Sequence, residues 1–150
     1  MKINKGFTLM ELIMVIVIFS IILSVSFYFF SGFGKKEALE KDVAGLTAFM
    51  RNARLLSVAS KDASVFGVHL ENSKAVLFEG NIYVAGGANE KILIFSPKVY
   101  LYSYSLNNGG SDIIFDRLTG NTLNYGTVTL SLKDNSASST ITILKTGVIQ

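Results

Sequence analysis

Glu11 is the first acidic residue of the chain, and it stands at the edge of an uncharged run. Leu12 to Gly34 contains 23 residues, most of them Ile, Val, Leu or Phe. A carboxylate costs on the order of 2.5–3.5 kcal/mol at a bilayer centre and less towards the interface, so Glu11 needs a compensating partner. One partner is local: Thr8 and Glu11 have the S/T-x-x-E spacing of a capping box, which satisfies the first amides of a helix. The other is a cation on a second chain. Spacing alone leaves both readings open.

The remaining residue types exclude more chemistry than they offer. With no Cys, there is no disulfide, thiolate nucleophile or Cys-based metal site. The single histidine, His69, alternates with Val68 and Leu70 on a predicted strand and reads as a solvent-facing structural residue. Asp112, Asp116, Asn121 and Asn124 are oxygen donors near a turn, without the spacing of an EF-hand. Gly32-Phe33-Gly34 before Lys35-Lys36 lacks the G-x-x-x-x-G-K-[ST] pattern of a phosphate loop. Tyr100, Tyr102 and Tyr104 share a face of a predicted strand. A half-buried aromatic ladder is favoured there over a contact for a neighbouring subunit or glycan. Arg51, Arg54 and Lys61 could mark a nucleic-acid face, but no basic stripe with interleaved aromatics continues them. The formal charge is only +3, and residues 35–150 carry 12 basic against 10 acidic groups. No nucleophile–base–orienter set is legible, so the reading is no enzyme, no cofactor and no metal.

The elements that carry these residues follow from periodicity. Twenty-three helical residues span about 34 Å, enough for a hydrocarbon core of about 30 Å. Lys2 and Lys5 would suit a signal peptide. The apolar run is too long for one, though, and no A-x-A-like site follows it, which points to a retained anchor. Ser31-Gly32-Phe33-Gly34, near its end, could loosen the helix. From Lys35 to about Ser60 the pattern turns amphipathic, with Leu39, Val43, Leu46, Met50 and Ala53 as a core stripe widened by Phe49 and Leu56. Lys36/Glu40 and Glu37/Lys41 add opposite charges at i,i+4. After Asp62 the period becomes two. Strands are predicted at 65–70, 75–79, 82–85, 92–95, 99–104, 112–115, 127–132 and 140–145, separated by turn-rich joints. The fold class is α+β: one long N-terminal helix, membrane-spanning then amphipathic, packed on an antiparallel β head.

Lys5-Gly6-Phe7-Thr8-Leu9-Met10-Glu11-Leu12 resembles the leader of type IV pilins and type II secretion pseudopilins. The resemblance implies that prepilin peptidase cuts between Gly6 and Phe7 and N-methylates Phe7. It also implies that Glu11 pairs with the terminal amine of a neighbouring subunit, two buried charges being tolerable together where each alone is costly. More loosely, the head is similar to the H-type minor pseudopilins and FimT-like minor pilins. That likeness lies in Ala53-Arg54 with Ala59 and Val65, in Ile114-Phe115-Asp116 with Gly120, and in Ile141–Thr146 with Gly147. The implied organisation is a leader at 1–6, a transmembrane and assembly half-helix at 7–34, an amphipathic half at 35–61 and a β head at 62–150. The implied protein is a minor pilin or pseudopilin held in the inner membrane by one pass, head outside the cytoplasm, until it enters a filament. Its partners would be prepilin peptidase, other pilin or pseudopilin subunits and membrane lipid. The alternative is an anchored minor pilin whose head binds DNA for uptake. Near-neutral charge argues against DNA, as does Val148, standing where such proteins often carry a basic residue.

Overall fold

A computed structural model describes residues 8–87 and 89–150, with the side chains of 27–33 outside the description. The chain divides into two compact units, Met1–Lys35 and Lys36–Gln150. One helix, α1 (Leu9–Val58), contributes to both, and its backbone stays helical through Ser31-Gly32-Phe33-Gly34. The loosening expected there does not occur. Two glycines cost a helix only about 1 kcal/mol each, which long apolar flanks readily offset.

In the first unit, Leu9–Ser26 is long and apolar enough to cross a membrane, and none of it is buried among the described residues. The hydroxyls of Ser20, Ser24 and Ser26 donate to the carbonyls of Ile16, Ser20 and Ile22 at 2.8, 2.8 and 2.9 Å. Three polar side chains thereby satisfy themselves within the helix, as a lipid-facing segment requires.

In the second unit, α1 buries Leu39, Asp42, Leu46, Met50, Ala53 and Ser57, a stripe spaced by three or four residues. Two members are polar, and both are spent on the β head. Asp42 Oδ2 accepts the Ser96 amide at 2.7 Å. Ser57 Oγ accepts the Phe66 amide at 2.8 Å and donates to the Phe66 carbonyl at 3.3 Å, tying the end of the helix to the first strand. Val43, expected in the stripe, is only half-buried because Asp42 takes the central position. Ser57→Ala should cost about 1–3 kcal/mol by stranding two buried backbone groups, read as a lower urea midpoint at constant slope.

Among the described residues, seven strands follow. They are β1 (Phe66–Leu70), β2 (Lys74–Glu79), β3 (Lys91–Ile94), β4 (Val99–Leu106), β5 (Asp112–Phe115), β6 (Gly126–Leu132) and β7 (Ser138–Ile143). They form two antiparallel sheets, ordered β3-β2-β1-β5 and β4-β6-β7. Alternate residues of both sheets join the helix stripe in one core, including Phe66, Val68, Leu77, Ile113 and Phe115 from one and Leu101, Val128, Leu130, Ile141 and Ile143 from the other. The architecture is α+β, as the periodicity predicts.

The predicted strand at 82–85 does not form. Gly80 and Gly86 both adopt positive φ, turning the chain away from β2, while β3 takes the neighbouring place beside it. Ile82 and Val84 are left 75% and 67% exposed. An alternating apolar run makes a strand only where a pairing edge is open to it.

Candidate functional site

The site at the start of α1 is built by its own cap. Thr8 Oγ1 accepts the Glu11 amide at 3.3 Å and the Thr8 carbonyl accepts the Leu12 amide at 3.2 Å, so Thr8 is the N-cap and Glu11 the third helical residue. Negative charge in a first turn also favours the helix dipole. The Glu11 side chain is exposed, at the edge of an apolar surface that no described residue covers. Gly6 and Phe7, the expected cleavage residues, lie outside the described residues.

The head assembles one constellation that the sequence reading dispersed. His69, on β1, pairs in register with Asp112 on β5, and its Nδ1–H donates to Asp112 Oδ1 at 2.5 Å. Ser111 Oγ lies 3.4 Å from the same Nδ1. Tyr83 stacks on the imidazole with ring centroids 4.0 Å apart and planes 14° apart. His69 is therefore not the solvent-facing residue that alternation suggested. It does lie off the core face, but Tyr83 folds over it and its side chain is only 19% exposed. The histidine, aspartate and serine have the residue types of a triad without its arrangement. A triad needs serine on one ring nitrogen and aspartate on the other, whereas here both address Nδ1. The arrangement fastens a loop to a sheet.

Nearby, Ser64 and Asn89 hydrogen-bond the Glu79 carboxylate and hold it below the usual range. The Lys61 charge adds to this, and slight desolvation opposes it. A depressed carboxylate contributes stability above its unfolded pKa and loses it as pH falls through the folded one. Corrected for the intrinsic exchange rate, the protection of the amides at 81–87 and 89–90 should therefore fall on acidification through the Glu79 titration, while the β6–β7 amides keep theirs.

The tyrosines do not form one ladder. The β4–β6 register shifts between Leu101 and Ser103, a bulge that changes which face later residues occupy. Tyr100 pairs with Ser131 and donates its hydroxyl to Asn135 Oδ1 at 2.9 Å, whereas Tyr104 pairs with the buried Val128. Tyr102 sits at the bulge, edge-on to Tyr100. Of the oxygen donors at 112–124, Asp112 serves His69, and the Asp116 amide donates to the Asn121 carbonyl at 2.8 Å; among the described residues no three of His, Asp or Glu converge as a metal set.

The helix arginines brace the end of the chain. Arg51 donates to the Ile149 carbonyl at 3.0 Å, and Arg54 donates to the carbonyls of Gly120 at 3.1 Å and Thr146 at 3.3 Å. Gly120 and Gly147 meet at Arg54, so residues scattered over three sequence patterns share one junction. Both glycines have φ near +70°, and a Cβ on Gly147 would lie 1.9 Å from the Gly120 carbonyl oxygen. That convergence, like the buried Asp42 and Ser57, had no signal in hydrophobic periodicity.

No curated protein and no solved structure matches the chain. The N-terminal region does match a family model, over residues 1–27. The matched stretch holds Gly6, Phe7, Thr8, Glu11 and all of the exposed Leu9–Ser26 span. The chain thus opens with the prokaryotic N-terminal methylation motif, the signature of type IV pilin-like subunits.

Proposed function

We propose that this protein is a minor pilin or pseudopilin, a structural subunit of a type IV pilus-like or type II secretion filament. The observation that carries the reading is the methylation motif running directly into an apolar helical face that the described residues leave uncovered. A helix of this kind must be covered by lipid before assembly and by other helices after it. In this reading residues 1–6 are the leader, 7–34 the membrane and assembly half of the helix, 35–61 its amphipathic half and 62–150 the β head. Prepilin peptidase cuts between Gly6 and Phe7 on the cytoplasmic side of the inner membrane, leaving the head outside, and methylates the new amine of Phe7. Glu11 then pairs with the amine of a neighbouring subunit.

The physics of the cut explains the glycine. A peptidase binds its substrate extended, and Gly lets the backbone approach without a Cβ in the way. Gly6→Val should therefore accumulate precursor in cells that hold the peptidase, seen as a slower-migrating band and an unblocked leader. Normal processing of that variant would contradict the assignment.

The head supplies the rest of the function by shape. Its two sheets and helix stripe form a closed core, so its contacts with other subunits come from surface features such as the 80–90 loop and the C-terminal junction.

A further inference from the structure

β3 and β5 are the two edges of the four-stranded sheet, and both leave backbone groups unmet. In an antiparallel pair, alternate residues turn their backbone groups to the partner strand and the others turn theirs away. The Phe95 amide donates to the Ser73 carbonyl at 3.0 Å, so Lys91 and Leu93 face β2 while Ile92 and Ile94 face outwards. The Leu70 amide donates to the Ser111 carbonyl at 2.9 Å, so Ile113 and Phe115 face β1 while Asp112 and Ile114 face outwards. These outward residues have no other backbone partner among the described residues. Just beyond them the fold closes its edges. Asp42 takes the next outward amide after β3, that of Ser96, and Asn121 takes that of Asp116 after β5. Asn72 likewise takes the Leu101 amide of β4 at 3.0 Å. At β3 itself Ile92 and Ile94 are 54% and 74% exposed, and a groove of about 500 Å³ lies between the edge and Ala38, Lys41 and Gly45 of α1. An open apolar edge of this kind is a template for extended backbone, whose donors and acceptors repeat at the same spacing.

We propose that the β3 edge of one head receives the β5 edge of a second copy of this chain, pairing Ile92 with Ile114 of the second copy and Ile94 with its Asp112. The orientation rests on the filament reading, in which copies share a membrane and present their heads alike. β3, β2, β1 and β5 alternate in direction, so the two edges run oppositely. Heads presented alike therefore meet β3 to β5 antiparallel, with the same face outward. A β3-to-β3 pair would need a two-fold axis through the sheet, which turns one head end for end. The β3-to-β5 contact is instead head-to-tail, the type that repeats along a filament. It sets Ile92 beside an isoleucine and brings Glu90 near Asp116 of the second copy, a repulsion that weakens the contact.

The chain has no cysteine, so introduced thiols report one contact at a time. Full-length chains carrying Ile92→Cys and Ile114→Cys are co-expressed in one membrane and oxidised. Residues paired in this way have Cα atoms about 5.5 Å apart, within disulfide reach. The mixture should cross-link at least tenfold more than either variant alone. Ile94→Pro, added to the Ile92→Cys chain, deletes an outward amide and no bond to β2. It should lower the yield at least tenfold at an unchanged unfolding midpoint. Ile94→Lys should act likewise. Glu90→Lys turns the repulsion by Asp116 into attraction and should raise the yield several-fold, a gain that misfolding cannot produce. Self-linking of Ile92→Cys as strong as the mixed link, no link in the mixture, or a yield indifferent to these substitutions would overturn the proposal. The mixed link formed by chains that still begin at Met1 would uphold the edge pairing and break only the filament reading.

Discussion

Glu11→Gln is expected to leave the precursor cut at the normal rate and to reduce its entry into filaments by at least tenfold. Glutamine keeps the size and the helix preference of glutamate. It also keeps the cap, because Thr8 Oγ1 accepts the Glu11 backbone amide and not a side-chain group. The substitution therefore removes charge alone. In the proposed assembly Glu11 faces the methylated amine of a neighbour inside a packed helical core, and removing one member of a buried pair leaves the other uncompensated, at about 3–5 kcal/mol. Thr8→Ala is the matched control. It deletes the cap hydroxyl, costs about 1 kcal/mol of helix start and leaves the charge in place. Sheared-filament fractions compared with total processed protein give the readout. Assembly of Glu11→Gln at the level of the natural sequence, with Thr8→Ala impaired, would make Glu11 a capping residue and nothing more.

Gly147→Ala is expected to give the largest loss of stability in the head, about 3 kcal/mol or more. Left-handed backbone at φ +72° costs an L-residue about 1–2 kcal/mol. The added methyl would also stand 1.9 Å from the Gly120 carbonyl oxygen and 2.8 Å from Arg54 Nε. Neither neighbour can yield cheaply. The Gly120 carbonyl is held by Arg54, and Gly147 donates its own amide to Leu144 in the turn that carries Val148 back to β7. Moving the turn breaks the Leu144–Val148 and Thr142–Gln150 bonds that cover the edge of β7. Equilibrium urea unfolding should show the loss as a lower midpoint. Hydrogen exchange should place the damage in β7 and the residues after it, sparing β1 and β2. An unfolding free energy within about 0.5 kcal/mol of the parent would mean the junction is not rigid.

The two sites differ in how far the sequence reveals them. Gly6, Phe7, Thr8 and Glu11 are close in the chain, and their meaning lies in spacing, so a motif can be read without coordinates. The helix and seven strands are likewise legible, because burial imposes periods of 3.6 and 2 on the apolar residues. The Arg54–Gly120–Gly147 junction is not. Its members are far apart in sequence, and two of them matter for having no side chain.

The misreadings have the same origin. Asp42 and Ser57 leave no mark on the periodicity, which registers apolar residues, whereas a buried polar group depends on a partner such as Ser96 or Phe66 that only the fold supplies. Ile82–Ala85 alternates like a strand, yet its neighbour's edge is taken by β3. A single bulge after Leu101 separated Tyr104 from Tyr100, since one inserted residue reverses every later face. Alternation puts His69 off the core face, as observed, but Tyr83, which covers it, comes from the run that does not form a strand.

Intact mass spectrometry of the protein, expressed with its processing machinery and extracted from membranes, tests the central claim most directly. The filament-subunit account predicts a mature chain that begins at Phe7, has lost residues 1–6 and carries one added methyl group on the terminal amine. A chain that still begins at Met1, or one cut after the apolar run and released without it, would contradict the account.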